Sequence, residues 1–151
     1  MYGGEGVHEY VAYIGIAKNL RQRIRQHLIR RDSSVTTGTT AVSLNPDYIT
    51  KISWWTHDDF IDRVLLETAE LVAFEIFDPA LRSRGGISQK AKNLFLDKDA
   101  IKHYYDLFSS APDSFVQIHN LKYMVSKLRE LEVRIEKLEV SKNQEYSGNS
   151  I

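Results

Sequence analysis

At Gly15 the apolar pattern of the chain changes period, and that change decides the class of fold. Upstream, Val-His-Glu-Tyr-Val-Ala-Tyr-Ile-Gly (7–15) is rich in aromatic and β-branched residues and closes on glycine, which reads as a strand. Downstream, Leu20, Ile24 and Leu28 recur at four-residue spacing, so a helix with one buried stripe is expected from about Ala17 to Arg31. The alternation repeats: Ile49–Thr56 has strand character, Asp58-Asp59 offers a helix start, Phe60–Phe77 a helix and Pro79 its stop. Strands and helices so interleaved predict an α/β chain of the α+β kind, a small antiparallel sheet flanked by helices.

Between and beyond these elements the chain is punctuated by turns. Gly3-Gly4-Glu5-Gly6 has hairpin-turn chemistry, yet only two residues precede it. Residues 32–48 are small, polar and hydroxyl-rich, as in a loop. Gly85-Gly86 marks a turn, Ser88–Phe108 a helix in one or two pieces, and Ala111-Pro112-Asp113 a break. A final helix is expected from Ser114 to Lys142. In it Leu121, Met124, Leu128, Leu131, Ile135 and Leu138 are spaced 3-4-3-4-3, as at the a and d positions of a coiled coil. Lys127 and Arg134 then occupy g positions, and Glu132 and Glu139 occupy e. In a parallel homodimer these pair with opposite sign, whereas an antiparallel pair juxtaposes like charges; docking on the parent domain is the alternative. The expected division is a domain at 1–95, a helical connector at 96–112, a coiled-coil helix at 113–142 and a disordered tail at 143–151.

Composition narrows the function. Of 151 residues, 42 % are apolar and 26 % charged, enough for a packed core. Lys+Arg and Asp+Glu both number 20, which excludes binding to DNA or acidic membranes by bulk charge and leaves room only for a local basic site. The chain has no cysteine, so thiol nucleophiles, disulfides and thiolate-bound zinc are excluded. Its longest apolar runs, such as Leu71–Phe74, are far too short to span a bilayer, and no secretory signal is recognisable. A cytoplasmic location is the expectation.

Charge is segregated where the first helix is expected. Lys18, Arg21, Arg23, Arg25, Arg30 and Arg31 lie in a stretch without acidic residues, either a solvated face or a phosphate-facing one. Arg23 and His27, four apart, share a helix face just beyond the strand-end Tyr13. A guanidinium with fixed donors and an imidazole that relays a proton suit an oxyanion site, although an ordinary surface pair has the same spacing.

The same string resembles the second half of the GIY-YIG nuclease signature, Tyr-Ile-Gly-x-[Ser/Ala]-x-Asn-Leu-x-x-Arg-apolar-x-x-His. Tyr13, Ile14, Gly15, Ala17, Asn19, Leu20, Arg23, Ile24 and His27 match it, and the resemblance extends over roughly residues 1–95. It implies a three-stranded antiparallel sheet flanked by helices and hydrolysis of nucleic-acid phosphodiesters with one divalent cation, Mg²⁺ or Mn²⁺. It further implies that Tyr13 lines the scissile phosphate, Arg23 stabilises its developing charge and His27 assists proton movement. A glutamate on a later helix would hold the metal. Glu67 and Glu70 both qualify, Glu67 slightly ahead because a Leu-Glu pair is common there, Glu70 because it stands nine residues before Pro79.

Two departures from the signature matter. Its first tyrosine, a candidate general base, belongs on the strand opposite 7–15. By count Tyr2 fits, but a hairpin turning at Gly3–Gly6 places that residue ahead of Met1. The expectation is therefore a chain that starts late and lacks this strand. The asparagine that relatives carry after the proline is missing; Arg82 stands near its place, Asn93 is the nearest asparagine, and Arg82 and Arg84 become candidate phosphate contacts. The reading is a metal-dependent endonuclease acting on nucleic acid, expected to be DNA, and able to form a parallel homodimer through residues 121–140. The alternative is a catalytically weak DNA-binding or assembly module that dimerises through the same helix. His57, His103 and His119 read as structural or exposed. Of Trp54 and Trp55, on opposite faces of a strand, one is expected in the core and the other over the sheet or against a base. The hydroxyl-rich segment 33–43 reads as a flexible loop able to approach nucleic acid.

Overall fold

The stretch 7–15 does not run as one strand. In the computed structural model, which describes residues 1–4, 6–30, 34–36, 41–83, 85–119 and 121–148, it divides into a 3₁₀ turn at Gly6–His8 and two short strands, β2 (Tyr10–Val11) and β3 (Tyr13–Ile14). The break separates the two strands into different sheets. Ahead of it, β1 (Tyr2–Gly3) pairs antiparallel with β2, Tyr2 opposite Val11. The ladder reaches Met1, whose carbonyl accepts from the Ala12 N–H at 3.0 Å. Gly4 turns the chain at φ 76°, where an added Cβ would also strike the His8 carbonyl. The partner strand expected to be missing is thus present, two residues long, and it carries Tyr2.

β1 is an inner strand. The first sheet has the order β2-β1-β6-β8, all antiparallel, with β6 at Ile49–Trp54 and β8 at Ser114–Gln117. The second runs β3-β7-β4-β5, with β7 (Leu81–Ser83) parallel to β3 and β4 (Ser34–Thr36) forming an antiparallel pair with β5 (Ala41–Ser43). Part of the segment 32–48 expected to be loop therefore forms two paired strands, and Pro46–Tyr48 forms a 3₁₀ turn.

After β3, Asn19 starts α1 (Leu20–Ile24), its side chain accepting from the Gln22 N–H at 2.9 Å. The helix passes directly into a π-helix at Arg25–Arg30 rather than keeping one period to Arg31. Ile24 and Leu28 pack on a cluster of Ala12, Tyr13, Leu44, Ile49 and Ile52, as the apolar stripe required.

The start of the next helix shifts three residues. His57 caps a 3₁₀ turn at Asp58–Ile61, and Asp62 caps α2 (Arg63–Phe77), accepting from Val64 and Leu65 N–H at 2.8 and 3.0 Å. Asp62→Ala is expected to lower the unfolding free energy by about 1 kcal/mol, measured by urea denaturation. Helix α2 ends at Asp78 in the left-handed region, φ 40°, just before Pro79. It is buried on several faces: Ala69, Val72 and Ala73 pack with Ile101, Tyr104 and Phe108 in a second core cluster.

Ser88–Phe108 forms two helices, α3 (Gln89–Phe95) and α4 (Lys102–Ser109). Because Tyr104 and Phe108 are core residues and β8 joins the first sheet, residues 96–118 belong to the domain and are not a connector. The chain divides into Met1–Ile118 and His119–Ile151. Residues 114–117, expected as the start of the last helix, are β8. Their strand is short and all four residues are exposed, with Val116 opposite Ile52, so sequence alone does not separate it from the helical pattern that follows.

In the second unit α5 runs from Leu121 to Gly148, past Lys142, so residues 143–148 are helix and not a disordered tail. Met124, Leu128, Leu131, Ile135 and Leu138 are all half exposed or more. No helix among the described residues is long and apolar enough to cross a membrane.

Candidate active site

Tyr13 belongs to the first core cluster. Its ring is almost wholly buried, and its hydroxyl accepts from Arg23 Nη2 at 3.0 Å. The tyrosine closes a strand and the arginine opens a helix, so their meeting depends on the chain turning sharply between them. Gly15 permits it: a Cβ there would overlap the Tyr13 hydroxyl. The Tyr-Ile-Gly string thus has a local steric reason, with glycine needed because the side chain two residues earlier occupies its Cβ position.

His27 lies behind Tyr13. It is 0 % exposed, and its ring centroid is 4.7 Å from that of Tyr13 at a tilt of 52°. It packs on the tyrosine and is not among the residues lining the cavity that Tyr13 faces.

That cavity has a volume of about 660 Å³. Its polar wall brings together Tyr2, Tyr13, Lys18, Arg23 and Glu70. Tyr2 enters from β1, and its hydroxyl accepts from Ser53 Oγ at 3.3 Å. The Lys51 ammonium lies 4.3 Å from the centroid of its ring. Both tyrosines, from different sheets, therefore reach one site.

The two glutamates of α2 separate here. Glu67 is occupied. Its Oε1 accepts from Arg63 Nε at 2.7 Å and its Oε2 from the Ser88 N–H at 2.9 Å. Hydrogen bonds from the Ser88 hydroxyl and N–H, with the help of Arg63, hold its carboxyl below the usual range. It fastens α3 to α2, and it does not line the cavity. Glu70 does, at 4 % exposure. Burial pushes its carboxyl up from 4.5 to about 7; Arg63 opposes this, Glu67 adds to it, and Arg23 and the Ile16 N–H oppose it in turn. Its Oε1 is buried with no hydrogen-bond partner among the described residues. A carboxylate in that condition is costly unless something cationic or protic is supplied.

That orphaned oxygen fits a divalent cation. Mg²⁺ and Mn²⁺ take hard oxygen ligands, and Mg²⁺ commonly keeps several waters beside one or two carboxylates. No group of three or more His, Cys, Asp or Glu is placed to form a complete metal cage among the described residues. A cation held at Glu70 is therefore one that keeps most of its own water.

The remaining basic candidates scatter. Lys18 lines the cavity, while Arg21, Arg25 and Arg30 line a separate polar depression with Asn19, Gln22 and Gln26. Arg82 is stacked over the Phe74 ring at 4.9 Å. Arg31 and Arg84 lie outside the described residues. Asn93 is engaged with Gln89 on the exposed face of α3, at 2.9 Å. His57 and His103, far apart in the sequence, both stand beside Asp59, which also accepts from the Tyr104 hydroxyl at 2.9 Å. That bond, foremost, keeps the Asp59 carboxyl low. The cluster ties α4 to the 3₁₀ turn ahead of α2.

No family model and no solved structure matches this chain. Over 98 residues it is 30 % identical to Guanylate-binding protein 7 of Mus musculus. The matched stretch is 65 % of this chain and 15 % of that protein, so the chain spans a small part of the relative's length.

Proposed function

We propose that the Met1–Ile118 unit hydrolyses phosphodiester bonds in nucleic acid, as a metal-dependent endonuclease of the GIY-YIG type. The observation that carries this reading is Glu70, which lines the same cavity as the Tyr13–Arg23 pair and has a buried carboxylate oxygen without a hydrogen-bond partner among the described residues. Glu70 holds the Mg²⁺ or Mn²⁺, which when bound polarises a phosphoryl oxygen and makes its water more acidic. Arg23 supplies fixed donors to the non-bridging oxygens as negative charge grows there. Tyr13 fixes the guanidinium and lines the phosphate, and His27 positions Tyr13 from behind. Tyr2, held by Ser53, is the group placed to pass on a proton from the attacking water. Lys18 adds positive charge at the rim.

Nicking of supercoiled plasmid tests the reading: conversion to the open circle is expected with Mn²⁺ and is abolished by EDTA. Persistent lack of conversion across DNA and RNA substrates leaves the binding or assembly module as the better account.

The partner of α5 is, on this reading, a second copy of the chain in parallel register. From Met124 to Leu138 its a and d side chains are exposed, with Leu128 at 59 % and Leu138 at 69 %. The g-to-e′ pairs Lys127–Glu132 and Arg134–Glu139 are attractive only in parallel. Light scattering is expected to give a dimer mass that Leu131→Asp reduces to the monomer; the double change Lys127→Glu/Arg134→Glu weakens the dimer at least tenfold.

A further inference from the structure

The cavity is larger than a phosphate site needs. A cation with a six-water shell occupies roughly 200 Å³ at about 30 Å³ per water, against about 660 Å³ available. Most of the remaining wall is apolar. Ile52, Trp54, Trp55, Phe60, Ala69 and Phe77 contribute to it. Trp55 packs on Phe77 and Phe108, at ring centroids of 5.4 and 5.6 Å, so its orientation is fixed. Yet its indole Nε1 is buried with no hydrogen-bond partner among the described residues.

Two more of the orphaned buried polar atoms, Arg23 Nε and Glu70 Oε1, belong to residues of the same cavity. A buried donor without an acceptor is uncommon and costs free energy, and so is associated with sites that a ligand completes. The cavity lining therefore combines Arg23 and Glu70 with an aromatic, apolar wall, and Trp55 in that wall has an indole N–H without a hydrogen-bond partner among the described residues. The ligand that matches both is a nucleotide whose base has left the stack. Its phosphate meets Arg23, its flat ring lies on apolar and aromatic side chains, and a ring nitrogen or carbonyl accepts from Trp55. A base within a duplex cannot reach such a recess.

We infer that this cavity takes an unstacked nucleobase beside the phosphate held by Arg23, so that the chain selects nucleic acid containing an unpaired nucleotide. The inference rests on the phosphodiester reading and names its substrate class.

The test uses the full chain with Ca²⁺ in place of Mn²⁺ and two otherwise identical DNA duplexes. One is fully paired, and the other carries a single extrahelical 2-aminopurine. Fluorescence anisotropy is expected to show about tenfold tighter binding of the bulged duplex, and the 2-aminopurine emission is expected to be quenched on binding. Trp55→Phe, which keeps a ring but removes the donor, should reduce the preference at least threefold. Equal affinity for the two duplexes, or no change in 2-aminopurine emission on wild-type protein, overturns the inference whether or not the protein cuts DNA. Displacement by a free nucleoside monophosphate as effective as by the bulged duplex also overturns it, in favour of a mononucleotide site. A retained preference without cleavage in Mn²⁺ overturns the catalytic reading alone.

Discussion

Replacing Glu70 with glutamine is expected to stabilise the protein without added metal at pH 8 and to leave its stability unchanged near pH 4. Glu70 is 4 % exposed and its carboxyl is pushed up from 4.5 to about 7, burial being the main cause. The sign follows from linkage. A group whose folded value is raised contributes stability that is fully present below the unfolded value and lost as pH rises through the folded one. Above pH 7 the wild-type protein thus holds an ionised carboxylate that the unfolded chain solvates better. The difference is on the order of 3 kcal/mol, and glutamine escapes it. Thermal melts in EDTA are expected to separate by several degrees at pH 8 and to coincide at pH 4. Added Mn²⁺ should raise the melting temperature of wild type and not of Glu70→Gln, because binding to the folded state stabilises by mass action. Parallel melting curves at every pH would contradict the burial of this charge.

Gly15→Ala is expected to lower the cleavage rate about 100-fold while the protein stays folded. The new methyl group overlaps the Tyr13 hydroxyl, and the ring, nearly enclosed, has little room to move without breaking its bond to Arg23. Arg23→Ala removes the donors outright and should cost a similar or larger factor, since one preorganised donor to a developing oxyanion is typically worth about 10²–10³ in rate. Arg23→Lys is not expected to restore it, as an ammonium cannot bridge the hydroxyl and a phosphate with a fixed fork of donors. Single-turnover nicking, read beside circular dichroism, checks both. A Gly15→Ala protein with undiminished rate would remove the Tyr13 hydroxyl from the site.

How much of this was legible in the sequence depends on the range of each contact. That Tyr13 and Arg23 stand at one strand-to-helix turn was, because only ten residues separate them; their hydrogen bond, and the packing of His27 on the tyrosine away from the cavity, were not. The helical stripe of Ile24 and Leu28 was as well. The choice between Glu67 and Glu70 was not. They are three apart on one helix, and what separates them is Ser88, 21 residues away, whose N–H takes Glu67 out of the site. Tyr2 fits the signature by count, but a hairpin turning at Gly3–Gly6 leaves no room for its strand, and a two-residue strand has no period to announce it. It is held by β6, 47 residues and more further along the chain, which no local pattern announces. For the same reason β8 was read as helix: its four residues gain strand geometry only by pairing with β6. The fold class, by contrast, needed only the alternation of periods.

The most direct measurement is nicking of supercoiled DNA in Mn²⁺ by three proteins side by side: wild type, Glu67→Gln and Glu70→Gln. Wild type and Glu67→Gln are expected to nick at rates within a few-fold of each other, Glu67→Gln melting lower because it loosens α3 from α2. Glu70→Gln should be inactive yet fully folded. Loss of activity in Glu67→Gln alone, with Glu70→Gln still cutting, would contradict the assignment of the metal to Glu70.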